Sequence, residues 1–137
     1  MMTHQLNFNT SYRFPSTKGG IVIPVELIAG GVSVNSEAKV DTGAEYCLFE
    51  RDVAESLMLN VESGQAMKME ALTGSFLTYG HEVTLQTFDL AFDVTVYFAA
   101  DYRVARNLLG RNGWLNLVRL GLNSYDEILY VSAYDDL

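Results

Sequence analysis

A chain of 137 residues has room for one domain with one core, so residues 1–137 read as a single unit with 1–16 as an N-terminal arm. Hydrophobic residues at 49% and charged residues at 19% are enough to bury a core and lie outside the range of disordered segments. A net charge of −8 would repel a phosphate backbone, which argues against a nucleic-acid partner. No apolar run approaches the roughly 18 residues of a membrane span, and the first residues lack a basic stretch followed by an apolar one, so the expectation is a soluble, cytoplasmic protein with no membrane partner. The lone Cys47 cannot form an intrachain disulfide, which fits a reducing compartment. His4 and His81 stand far apart with no second Cys or paired-His spacing, so no metal motif is written and no cofactor is expected.

In chain order, the arm is polar with scattered aromatics and is expected to add an edge strand. The run from Gly20 to Ala29 is rich in β-branched residues, and its Pro24 belongs at an edge or a strand start because proline cannot donate to a ladder. Gly30-Gly31 turns the chain, and Val32 to Val40 alternates apolar and polar side chains with the period of a half-buried strand. That strand runs into Asp41. A short apolar patch, Tyr46 to Phe49, precedes a predicted helix over 50–59, in which Val53, Ala54, Leu57 and Met58 recur at helical spacing.

Met67 to Leu72 and Phe76 to Phe88 read as two strands joined by a protruding hairpin at Thr73-Gly74-Ser75, since glycine tolerates the positive φ such turns require. A strand over Leu90 to Ala99 follows, then the short run Asn107-Leu108-Leu109-Gly110 and a brief predicted helix over 112–117. Strands around Val118 to Leu122 and Ile128 to Tyr134 are joined by a turn at Asn123 to Asp126. Many short strands with two brief helices predict an all-β fold, a small closed or sandwiched β structure, and argue against an α/β sheet.

The segment that carries chemistry is Val40-Asp41-Thr42-Gly43-Ala44. With the strand before it, the hairpin at Thr73-Gly74-Ser75 and the later Leu108-Leu109-Gly110-Arg111-Asn112, it resembles the retropepsin-like aspartic proteases, single-domain relatives of pepsin that work as homodimers. The likeness spans about Gly20 to Tyr134 and implies a small closed β-barrel and an aspartic endopeptidase acting on an extended peptide. It implies that Asp41 is the catalytic residue and that Thr42, Gly43 and Ala44 support its loop, with the Thr42 hydroxyl bonding across the dimer interface. Thr73, Gly74 and Ser75 would form a flap closing over substrate. Leu108, Leu109 and Gly110 would lie near the site, and Glu45 would brace the loop by an ion pair with Arg111. The sequence departs from the retroviral pattern in Tyr46, which stands where another acid is common, in a flap with fewer glycines, and in terminal strands without a clear counterpart.

The chemistry has a reason apart from the name. Peptide hydrolysis without a covalent intermediate needs one group to take a proton from water and another to give one to the carbonyl oxygen, and two close carboxylates sharing a proton do both. The chain holds one Asp-Thr-Gly, so such a pair needs Asp41 from each of two subunits. The competing functions are a catalytically silent dimerisation or peptide-binding module of the same fold and, more distantly, an unrelated small barrel for an apolar ligand. The plainer readings of single residues are a turn aspartate for Asp41, a hairpin glycine for Gly74, a buried inert thiol for Cys47, a surface residue for His81 and a core residue for Trp114.

Overall fold

The computed structural model describes residues 2–136, and its strands are joined by short turns that the sequence writes plainly. β2 (Val22–Ala29) and β3 (Val32–Val40) are linked by Gly30 and Gly31, both at positive φ, in register Ala29↔Val32. Two left-handed central residues give a turn whose twist matches that of the flanking strands. Along β2, Ile23, Val25 and Leu27 point into the core while Pro24 is exposed. The strand β6 (Gly74–Thr87) pairs with β2 only at Glu26, Leu27 and Ile28, so Pro24 sits beyond that ladder and its missing N–H leaves no bond unmade there.

The remaining large-sheet elements are β4 (Leu48–Phe49), β5 (Gln65–Ala71), β6 (Gly74–Thr87), β7 (Leu90–Ala99) and β8 (Leu108–Leu109). Their order is β2-β3-β8-β4-β7-β6-β5, and the β2–β6 pairing returns the ladder to its start, closing a barrel around the core. β1 (Thr10–Arg13), β9 (Val118–Asn123) and β10 (Ile128–Ala133) form a separate antiparallel sheet of order β1-β10-β9. The arm does supply an edge strand, β1 on β10. The fold is all-β with few short helices, as the strand spacing predicts.

Ile23, Leu27, Phe49, Leu85, Phe98, Leu109, Trp114, Leu129 and Val131 are fully buried and belong to one cluster that joins the barrel to the small sheet. Trp114 satisfies its indole by donating Nε1–H to Thr87 Oγ1 at 2.9 Å, so its burial leaves no polar group unpaired.

Several local expectations shift. The helix α1 covers only Arg51–Ser56, because Met58 takes φ +63 and ends it. Val53, Ala54 and Leu57 are buried, but Met58 is 80% exposed. The hairpin turn lies at Leu72-Thr73, in register Ala71↔Gly74, one residue before the expected place, and Gly74 opens β6. The predicted helix over 112–117 shrinks to a 3-10 turn at Leu115–Leu117, since Gly113 takes φ +107 and Trp114 turns into the core. His81 is half-buried rather than on the surface, with Nε2 2.9 Å from the Val61 carbonyl oxygen and its ring on Phe98.

Candidate active site

Asp41 extends the parallel ladder between β3 and β8 by one step, its N–H donating to the Leu109 carbonyl at 3.0 Å as the Lys39 N–H donates to the Asn107 carbonyl at 2.9 Å. Asp41 to Ala44 then form a tight turn closed by Ala44 N–H on the Asp41 carbonyl at 3.1 Å. The Asp41 side chain belongs to the same turn: Gly43 donates N–H to Oδ1 at 2.9 Å. An aspartate accepting a bond from two residues on is held in one orientation by its own backbone. A Cβ on Gly43 would stand 3.2 Å from that same oxygen, so the glycine keeps the carboxylate clear.

The turn is fixed from beneath by the segment after β8. β8 runs parallel to β3, pairing Val40 with Leu109, and antiparallel to β4, pairing Leu48 with Leu108. Arg111 donates N–H to the Ala44 carbonyl at 2.9 Å and Asn112 donates to the Glu45 carbonyl at 2.8 Å, while Tyr46 bridges Asn112. Gly110 sits at the crossing, where an added Cβ would lie 2.6 Å from the Tyr46 carbonyl carbon and 2.8 Å from the Ala44 oxygen. Only a residue without a side chain lets the two backbones approach so closely.

Leu108 and Leu109 thus carry the strand that seats the Asp41 loop, and Gly110 and Arg111 carry the lock. The lock is main-chain throughout. The expected Glu45–Arg111 ion pair is not made: the ion pairs among the described residues are Lys18–Glu37, Arg51–Glu55, Arg51–Glu62 and Asp101–Arg103, and both Glu45 and Arg111 are exposed. Backbone bonds already fix the geometry the pair was expected to brace, so the two side chains remain in solvent.

Asp41 is half-buried, with Thr42 and Gly43 exposed beside it. Thr73, Gly74 and Ser75 are exposed at the end of the β5–β6 hairpin, with Leu72 at its tip, fully exposed. Gly74 takes φ +128. Farther from the tip, Thr78 Oγ1–H donates to the Met67 carbonyl at 2.8 Å, tying the two strands where the hairpin joins the barrel.

Two groups escaped the sequence reading. Asn107 accepts the Glu50 N–H on Oδ1 at 2.9 Å and donates Nδ2–H to Ser36 Oγ and the Glu37 carbonyl, which clamps β3 to the start of α1. Its place directly before Leu108-Leu109-Gly110 was the available signal. Tyr97 meets Tyr46 edge to face with ring centroids 5.1 Å apart, and with Thr95, Asn112 and Asn116 they line a cleft of about 430 Å³. Burial pushes the Tyr97 hydroxyl pKa up. Asp41 does not line that cleft, nor a second one of about 470 Å³ bordered by Asn35, Ser36, Glu37 and Asn107.

Cys47 is fully buried behind the loop, and burial pushes its thiol up to about 11, which makes it a poor nucleophile at neutral pH. Among the described residues no cluster of His, Cys, Asp and Glu side chains is placed to hold a metal. No helix among them is long and apolar enough to cross a membrane.

The same architecture recurs in solved structures. A retropepsin-like aspartic protease from Rickettsia conorii matches with a TM-score of 0.62 at 11% identity, over 90% of this chain and 97% of that one. EIAV protease, solved in complex with the inhibitor HBY-793, matches with a TM-score of 0.50 at 17% identity, over 66% of this chain and 80% of that one. At such identities the likeness speaks for the fold. No curated protein sequence matches significantly. The sequence profile described as aspartyl protease matches residues 23–112, a stretch that begins in β2, contains the Asp41 turn and the hairpin, and ends on the Gly110 crossing. The chain belongs to the retropepsin-like aspartic protease family.

Proposed function

We propose that the chain, acting as one unit over 1–137, is a homodimeric aspartic endopeptidase in which Asp41 of each subunit supplies half of the catalytic pair. The observation that carries this reading is the Asp41 carboxylate itself. It is oriented by Gly43 N–H and seated on an interlocked backbone, yet it is only half-buried, beside the exposed Thr42 and Gly43. A side chain so carefully held and left accessible fits a group waiting for a partner.

In the assembled pair one carboxylate is ionised and the other protonated, because like charges at hydrogen-bonding range do not both ionise. The ionised Asp41 takes a proton from water as the water oxygen bonds to the scissile carbonyl carbon. The protonated Asp41 gives its proton to the carbonyl oxygen, so a neutral tetrahedral diol forms. Collapse returns a hydroxyl proton to a carboxylate, delivers a proton to the amide nitrogen and breaks the C–N bond. Thr42, exposed beside Asp41, fits a hydroxyl that bonds across the interface and holds the two loops in register.

The β5–β6 hairpin fits a flap: it projects beyond the barrel, its tip is exposed, and its edge strand can add main-chain bonds to an extended peptide. The Tyr46–Tyr97 cleft adjoins the same loop and suits an apolar or aromatic substrate side chain. No cofactor enters this scheme. The solitary buried thiol is in keeping with a reducing, cytoplasmic setting.

The test is cleavage of an unfolded protein at mildly acidic pH by wild type and Asp41→Asn, with sedimentation run beside it. The reading predicts cleavage by wild type, none by the variant, and the same dimer for both. A dimer that cleaves nothing at any pH would instead make the chain a silent peptide-binding member of the fold.

A further inference from the structure

The β5–β6 hairpin leaves the barrel at Gln65↔Gly80, the lowest pair of its ladder. Just below that pair Gly64 lies against His81. A Cβ on Gly64 would stand 2.5 Å from His81 Nε2 and 2.5 Å from the Gly80 carbonyl oxygen, so the imidazole occupies the space a side chain at 64 would need. The ring is held from two sides. It meets the fully buried Phe98 ring edge to face, with centroids 5.8 Å apart, and its Nε2 lies 2.9 Å from the Val61 carbonyl oxygen. A carbonyl only accepts, so Nε2–H is the donor. Val61 is 2% exposed and packs in the core. The bond therefore ties the turn Val61–Ser63, from which β5 departs, to β6 where β6 enters the barrel.

Other contacts hold the same stem, and they are not equal. Arg51 of α1 pairs with Glu62 and donates Nη1–H to the Ala100 carbonyl at 3.1 Å, while Ala100 N–H donates to the Leu77 carbonyl at 3.0 Å. One guanidinium thus reaches the roots of both strands. The Glu62 side chain is 51% exposed, however, and an ion pair with a partner in solvent is screened and weak. The Thr78–Met67 bond joins the two strands of the hairpin to each other, so it travels with them. β5 ends its sheet and pairs with β6 alone. The His81 bond differs from all of these, because it fixes the entry of β5 through a main-chain acceptor kept out of water.

We propose that His81 is a positioning residue for the hairpin: by holding the Val61 carbonyl, with its ring against Gly64, it sets the angle at which β5 and β6 leave the barrel and how readily they close over a peptide. The inference rests on the flap reading above and names the clasp on which that flap turns. Its effect on hydrolysis is indirect, through the closed state of the hairpin, and falls on substrate capture rather than on the proton transfers at Asp41.

The experiment compares wild type, His81→Leu and His81→Gln by amide hydrogen exchange and by the kinetics of peptide cleavage. Leucine removes the donor at similar volume, and glutamine restores an N–H within reach of the carbonyl. In His81→Leu the β5 amides are expected to exchange roughly five to ten times faster, the loss of about one hydrogen bond, while β2 and β3 amides are unchanged. KM should rise by a similar factor with kcat within about twofold, and His81→Gln should recover both. Faster exchange in barrel and hairpin alike, or a His81→Gln variant no better than His81→Leu, overturns the positioning role. Should His81→Leu fail to fold, nitrogen NMR of the wild-type imidazole decides: the Nε2–H tautomer with a slowly exchanging ring proton supports the clasp, and the Nδ1–H tautomer or a freely exchanging ring overturns it. A wild type that cleaves nothing while His81→Leu still loosens the hairpin overturns the protease reading and keeps the clasp. Cleavage with hairpin exchange unmoved overturns the clasp and leaves the protease standing.

Discussion

Gly110 and Gly74 mark two regions of the molecule that use the same residue for opposite reasons. At Gly110 the backbone is ordinary but there is no space: a methyl group would meet the carbonyls of Tyr46 and Ala44. At Gly74 there is space on every side but the backbone, at φ +128, is one that side chains rarely adopt. The first glycine lets two chain segments interlock beneath Asp41, and the second lets an exposed hairpin reverse. Position is fixed where the proposed chemistry happens, by main-chain bonds from Arg111 and Asn112. Freedom is kept where substrate would be covered. The difference teaches that the Asp41 loop should fail as a structural unit, whereas the hairpin should fail only as a moving part.

Substitutions can break this contrast, beginning with the largest effect. Gly110→Ala forces backbone apart in a fully engaged crossing and is expected to cost about 3 kcal/mol or more, read as a lowered Tm or a lost folded state. Raising the pH probes the underside of the same loop through Cys47, whose thiol is held at about 11 against an ordinary 9.0. Between those values the unfolded chain releases a proton that the folded chain keeps, so stability falls as pH rises through that window, by about 2 kcal/mol at its upper end. A Cys47→Ser comparison in denaturant melts at pH 8 and pH 10.5 isolates this contribution. Gly74→Ala strains one turn and is expected to lower stability by about 1 kcal/mol or less, while reducing kcat/KM through the flap. A Tm loss equal to that of Gly110→Ala would erase the distinction between the two regions. Smallest is Glu45→Gln, expected to change stability by less than about 0.5 kcal/mol because no ion pair is lost; a larger drop in urea melts would restore the brace to Arg111.

Much of the barrel was legible because its strands alternate and its turns use residues with a known conformational bias. Gly30-Gly31 announces a hairpin, and Ile23, Val25 and Leu27 announce the buried face of β2. The Asp41 loop was legible by its motif and by the later Leu-Leu-Gly-Arg-Asn, although neither says that Arg111 would act through its backbone rather than its guanidinium. What stayed hidden depends on tertiary contact. Met58 fits a helical stripe in sequence but ends the helix in a left-handed turn. His81 lies in a polar dipeptide context yet is covered because Val61 and Phe98 close over it. The Tyr46–Tyr97 cleft joins residues about fifty positions apart.

The central claim is that each chain holds half of a hydrolytic site. It is tested most directly by following the initial rate of peptide cleavage as the protein is diluted through the dissociation range measured by sedimentation. The account predicts a rate that falls with the square of concentration below that range and vanishes in Asp41→Asn. A rate that stays proportional to concentration throughout, or cleavage that survives in Asp41→Asn, would contradict it.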